Sequence, residues 1–183
     1  MFSVFLELGF DHILDGYDHL LFLAGLIIAA TEWRALLAVI SAFTIAHSTT
    51  LVLSALEIVS LDPTLTETLI AASIAYVGIE NLVMKEQRRR WLVAGAFGLI
   101  HGAGFSGHLT ELLKSMMEMG TIWAPLVGFN IGIELGQIVV IAISIPVIYG
   151  FKRFGKWEVL VPEFSRVIAA IGVFLVISRV WKI

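Results

Sequence analysis

Histidines and carboxylates stand inside long apolar runs of this sequence, where such groups are expensive, and their spacing suggests chemistry before any fold is considered. The first run carries His12, Asp15, Asp18 and His19. On a helix the positions i, i+3 and i+7 share one stripe, so His12, Asp15 and His19 line up with Asp18 at their border. A later run holds His47 beside Ser48, another holds His101 and His108 within a glycine-rich stretch, and a fourth holds Asn130, Glu134 and Gln137 at i, i+4 and i+7. An ionisable group deep in a bilayer costs roughly several kcal/mol, so each needs a partner and a purpose. At a rise of about 1.5 Å per residue, His19, His47, His101 and Glu134 all fall near the middle of a roughly 30 Å hydrocarbon core. Convergence of these residues from separate helices is the economical explanation. Three imidazoles and a carboxylate, with Asp18 in reserve, suit Ni²⁺, Co²⁺, Zn²⁺ or Cu²⁺ better than Mg²⁺ or Ca²⁺.

Each residue also has a plainer reading. A lone membrane histidine can hydrogen-bond a hydroxyl or carbonyl of the next helix, as Ser48 could provide for a neighbour. His12 is expected near the outer surface, where it and Asp15 would hand a cation inward, and His108 is expected at the outer rim. Glu80 is expected to pair with a loop arginine or to mark an inner exit. The glycines around His101 let helix backbones approach closely or break. The candidate metal ligands are therefore His12, Asp18, His19, His47, His101 and Glu134, with Asp15, Ser48, His108, Glu80, Asn130 and Gln137 as secondary candidates.

The elements that must position these groups follow from composition. Of 183 residues, 58% are hydrophobic and only 15% are charged, with a mean hydropathy of +0.93, well outside the range of soluble domains. A spanning helix needs roughly 20 apolar residues, so the chain reads as an all-α polytopic membrane protein of about six transmembrane helices. It forms a single transmembrane domain over residues 1–183. The apolar runs give spans near about 9–30, 34–58, 65–84, 91–112, 122–149 and 161–180. Cysteine is absent, which excludes thiolate ligands, disulfides and cysteine nucleophiles. A net charge of −3 gives no basic excess of the kind nucleic acid would attract. The early acidic residues Glu7, Asp11 and Asp15, with no basic stretch before them, do not read as a cleavable signal peptide.

Arg34, Lys85, Arg88, Arg89, Arg90, Lys152, Arg153 and Lys156 all fall on odd-numbered connections, which makes those connections cytoplasmic. The even ones carry Lys114 against Glu57, Asp62, Glu67, Glu111 and Glu118. Both termini and an acidic rim are thus expected outside an inner or plasma membrane, with Arg179 and Lys182 arguing mildly against. There is also an internal echo. Phe43-Thr44-Ile45-Ala46 precedes His47 in the second span and Phe129-Asn130-Ile131-Gly132 leads to Glu134 in the fifth. Because these spans run in opposite directions, the echo is compatible with two inverted three-helix repeats, in which transporters place their site at the repeat interface.

Three stretches carry a resemblance to the HupE/UreJ family of nickel and cobalt permeases. His12, five residues, then Asp18-His19 is similar to the family's first-helix motif. Phe43 to Leu51, reading Phe-Thr-Ile-Ala-His-Ser-Thr-Thr-Leu, and Leu99 to Phe105, reading Leu-Ile-His-Gly-Ala-Gly-Phe, are the other two. The resemblance spans nearly the whole chain. It implies metal-handling roles for His12, Asp18 and His19, and for His101 in the fourth helix. The best-known permeases of that family carry a second histidine-glycine and a glutamate soon after the first; here the stretch reads Gly104-Phe105-Ser106-Gly107-His108 with Glu111 beyond, which marks a divergent branch.

Two mechanisms use the same ligands. In a divalent-metal permease, the acidic rim attracts the ion, the central cluster binds it and the cytoplasmic side receives it. The alternative is an intramembrane metal-dependent hydrolase with a three-histidine zinc site, in which Asp18 or Glu134 serves as general base. No phosphate-binding loop motif is present, so ATP hydrolysis by that route is not expected. The expected partners are a metal ion and the lipid bilayer, with self-association into a homo-oligomer left open.

Overall fold

The computed structural model describes residues 2–30, 32–84, 89–104, 112, 115–116 and 123–181. Among them the secondary structure is helical throughout, with no strand. In chain order the helices are α1 (Phe2–Asp15), α2 (Tyr17–Ile28), α3 (Trp33–Ala55), α4 (Pro63–Val83), α5 (Arg90–Ala103), α6 (Trp123–Arg153) and α7 (Trp157–Trp181). Of these, α3, α6 and α7 are long and apolar enough to cross a bilayer. Only 22% of the most apolar window of α6 and of α7 is buried within the chain. The remaining faces, with Ile143, Phe174 and Val180 exposed, need lipid around them. The chain is an integral membrane protein.

Local chemistry sets the helix ends. Asp62 caps α4 by accepting a hydrogen bond from the Leu65 N–H at 2.9 Å, with Pro63 in the first turn, where its missing N–H costs nothing. At the other end of α3, Glu57 adopts φ 59°, and the Ile58 N–H reaches back to the Leu53 carbonyl at 3.0 Å, closing the helix in a left-handed turn. All five tryptophans lie at or next to a helix end: Trp33, Trp91, Trp123, Trp157 and Trp181. This is the position an indole takes at a membrane–water interface, with its ring in hydrocarbon and its N–H in the wet headgroup layer.

The first apolar run differs most from expectation. It begins at Phe2 and is divided in two at Gly16, which takes φ −78° and ψ 88°. The ladder resumes with the Leu20 N–H on the Gly16 carbonyl at 2.9 Å. A Cβ at this position would lie 2.7 Å from both the His12 carbonyl oxygen and the His19 Nδ1, so the bend requires glycine.

Three helix pairs make up most of the packing: α3 on α5, α1 on α6 and α4 on α7. Each pair has a small-residue seam of the kind by which membrane helices gain dispersion contacts in the absence of a hydrophobic driving force. Gly98 of α5 lies against the Phe43 carbonyl of α3, and Gly102 against that of His47. Gly9 of α1 lies against the Phe129 carbonyl of α6, and Gly132 of α6 against that of Leu6. In the third pair, Gly78 meets Ala169 and Gly172 meets Ala75. A central cluster of Phe22, Phe43, Ile74, Val77, Ala94 and Ile168 joins four of these helices and the short α2.

Arg90, which counts with the loop cations in a reading of charge bias, is in fact buried at 5% exposure. Its guanidinium meets the Gly25 carbonyl at 3.1 Å, the Leu26 carbonyl at 3.4 Å, Asn81 Oδ1 at 2.6 Å and Glu80 Oε2 at 3.4 Å. The last turn of α2 leaves carbonyls with no intrahelical partner, and Arg90 supplies donors for them. Glu80 is thereby paired with the arginine at the start of α5.

Two predictions test this packing. Gly98→Ala should destabilise the folded protein in detergent by about 1–3 kcal/mol, read as a lowered Tm, because its Cβ would run into the Phe43 backbone. Gly95→Ala, whose nearest new neighbours lie at 3.8 and 3.9 Å, should be neutral or better. Arg90→Ala should cost about 3–5 kcal/mol because it strands Glu80 in a buried site, and the Glu80→Gln/Arg90→Met double variant should recover part of that loss.

Candidate metal centre

The bend at Gly16 has a chemical result. His12 near the end of α1 and His19 at the start of α2 turn toward each other, with ring centroids 4.5 Å apart. His47 of α3 joins them at 5.8 Å from His12 and 5.9 Å from His19. One ligand atom from each of the three lies within 4.8 Å of the other two. Nitrogens bound tetrahedrally at about 2.1 Å from one ion would be roughly 3.4 Å apart, so small side-chain rotations would close the set. His12 therefore does not lie at an outer surface, apart from the others. With α1 starting at Phe2, the residue lies near the far end of that helix, half-buried beside Phe129 at 5.9 Å.

His101 forms the flank of the group, its ring 5.0 Å from that of His19 and held between Phe22 and Phe43 at 5.1 and 5.2 Å. Its Nε2 is 2.9 Å from Ser73 Oγ, which also lies 2.6 Å from the Ile70 carbonyl. A hydroxyl has one proton to give, and the carbonyl can only accept. Ser73 therefore donates to Ile70 and accepts from the His101 Nε2–H, which leaves the lone pair of a neutral imidazole on Nδ1. Among the described residues, that Nδ1 and the Nε2 of His19 are buried without a hydrogen-bond partner. His47 and His101 are each 1% exposed. An acceptor that takes the other ring N–H and so fixes the tautomer is the usual support of a histidine ligand, and the Ser73 hydroxyl fills that place here. Ser73 escaped the sequence reading; its one signal was a hydroxyl inside the apolar run Ile70 to Ala75.

The carboxylates lie elsewhere. Asp18 is in an ion pair with Arg179 of α7 at 2.6 Å, and Arg179 also donates to the Glu67 carbonyl of α4 at 2.5 Å. Asp15 is the exposed last residue of α1, off the stripe that a straight helix would have given it. Glu134, expected beside the three histidines, is exposed on α6 and lines a groove with Thr44, Ser48 and Asn130. The cause is the seam between α1 and α6. Gly128, Gly132, Ile133 and Gly136 are buried, and the residue after Ile133 is turned about 100° from that contact. Asn130 is in hydrogen-bond contact with Ser48, and Gln137, 3% exposed, accepts from Thr44 Oγ1 at 3.0 Å. Glu80 belongs to the Arg90 pair. His108 lies outside the described residues.

A small cavity of about 10 Å³, room for roughly one water, adjoins His19 and is lined by Ile13, Phe22, Phe43 and Gln137 among others. The assembly is thus three clustered imidazoles from three helices, a fourth fixed beside them, and a dry aromatic wall. Comparison with curated proteins and with solved structures gave no match for this chain. The family model described as HupE / UreJ protein matches residues 1–183, and the chain therefore belongs to the HupE/UreJ family.

Proposed function

We propose that the protein is a permease for a divalent transition metal of the nickel and cobalt kind, and that the ion passes through the site formed by His12, His19 and His47, with His101 beside it. The observation that carries this reading is the meeting of three imidazole donors from α1, α2 and α3 within 4.8 Å. Neutral imidazoles suit Ni²⁺, Co²⁺, Zn²⁺ and Cu²⁺. Family membership supports transport-related handling of nickel or cobalt. The intramembrane hydrolase is the weaker reading: among the described residues the space beside His19 is about 10 Å³, enough for roughly one water and not for a substrate as well.

We further read the chain as six spans in two inverted halves, with α1 and α2 forming one broken span. Exchange of the first three spans with the last three turns the pair α1–α6 into α5–α3 and returns α4–α7 to itself, and these are the three dominant pairs. Gly9 against the Phe129 carbonyl then corresponds to Gly98 against the Phe43 carbonyl. His12 and His101 each stand three residues beyond their glycine. A broken helix at the binding site is the usual arrangement in transporters built from such halves. The basic odd-numbered connections support a cytoplasmic face there and outward termini in an inner or plasma membrane.

The test is equilibrium binding of Ni²⁺ and Co²⁺ to purified protein, with uptake into proteoliposomes carrying an internal metal-sensitive dye. His12→Ala, His19→Ala and His47→Ala should each lower affinity by about 100-fold or more, and Ser73→Ala by about 10-fold, while all four still insert and elute as folded protein. Wild-type binding and uptake in all three histidine variants would end the proposal.

A further inference from the structure

Glu134 lies about 16 Å along α6 from its start, close to mid-depth in a membrane, and is exposed on a groove of about 470 Å³ between α3 and α6. A carboxylate there costs roughly several kcal/mol unless something balances it, and among the described residues no basic side chain pairs with it. The groove's lining is mostly apolar, from Ile45, Val52, Trp123, Leu126, Val127 and Ile131, and is crossed by one polar strip. Thr44, Ser48 and Thr49 line it from α3, Asn130 and Glu134 from α6. The ladder of Thr44 to Gln137 and Ser48 to Asn130 holds the two helices together on either side of Glu134. Among the described residues the polar groups on that strip are oxygen or amide, with no imidazole. Hard oxygen donors with one negative charge hold a hydrated divalent cation weakly, through its water shell.

The position of Gln137 links this groove to the metal centre. It is three residues beyond Glu134 on α6, bonded to Thr44 of the groove, and at the same time forms the wall of the small cavity beside His19. Gln137 therefore stands between a groove residue, Thr44, and the cavity beside His19. We propose that the α3–α6 groove is a lateral vestibule, a second cation site in which Glu134 captures the hydrated divalent ion before it sheds water and passes Gln137 to the histidines. This rests on the permease reading and adds a separate low-affinity step to it.

The experiment measures Ni²⁺ uptake against concentration in proteoliposomes for wild type and Glu134→Gln, with equilibrium Ni²⁺ binding in detergent as the readout of the imidazole site. Glu134→Gln should raise the half-saturating concentration about 10-fold, the effect of losing one charge near the ion. Its maximal rate and tight equilibrium binding should stay within about 2-fold of wild type, well under a tenfold step of 1.4 kcal/mol. Asn130→Asp, which adds a charge to the same groove, should shift half-saturation the opposite way and so keeps the test decisive should Glu134→Gln fold poorly. Unchanged half-saturation in both variants overturns the vestibule, as does loss of tight binding in Glu134→Gln, which would put that carboxylate on the ion at the histidines. Self-association of the wild type that is lost in Glu134→Gln with unchanged uptake also overturns it, assigning the groove to a second copy of the chain. His47→Ala in parallel separates the two ideas: intact tight binding there sinks the imidazole site, whatever Glu134→Gln does.

Discussion

Keeping imidazoles inside a lipid-embedded bundle is the constraint on which this structure turns. Imidazoles packed against Phe129 (His12), Phe43 (His19) and Phe22 with Phe43 (His101) are largely cut off from bulk water, so their nitrogens need either hydrogen-bond partners or an ion. The chain meets this by bringing the rings together and giving one of them a fixed hydroxyl partner. Helix seams in which backbone meets backbone across glycine make the approach possible: α5 can present His101 next to α3 because Gly98 and Gly102 remove the side chains that would hold them apart. The same device on α6 lets α1 come close enough for His12 to reach the group.

Charged residues are sorted to either side of this dry centre by their pairing. At one end Arg90 closes the carbonyls of α2 and neutralises Glu80; at the other Arg179 joins Asp18 to α4. Both arginines tie three helices apiece, and both ties involve α2, the short helix that carries His19. Its position is thus specified from both ends by electrostatic contacts in low dielectric, where an arginine fork holds geometry better than a point charge would. A buried ion pair is weak as a source of stability, but here it fixes registry between elements that apolar packing alone would leave free to slide.

Much of this was legible in the residues themselves. The spans read at 34–58, 122–149 and 161–180 correspond to α3, α6 and α7, because long apolar runs between tryptophans and charges have few other solutions in a membrane. Equal depth was the ground for expecting His19, His47, His101 and Glu134 together, and the ring of His19 lies 5.9 and 5.0 Å from those of His47 and His101. What could not be read was rotation and bending. Periodicity gives a face for Glu134 but not which neighbour that face meets, and the glycine seam with α1 decided it. Gly16 reads as a tolerated glycine in a helix until the crowding of His12 and His19 around it is seen. Arg90 counts as a surface cation unless the open carbonyls of α2 are known to lie beside it.

The break at Gly16 makes one ligand pair depend on a single hinge. In an unbroken helix the backbones of His12 and His19 would be about 10 Å apart along the axis, too far for short side chains to share an ion comfortably, whereas bent they face each other. An ion held between them stabilises the bend, and by reciprocity the bend stabilises the ion. On the permease proposal, discharge of the ion would then need no competing ligand and no chemical step, because straightening one turn of backbone would pull the two rings apart.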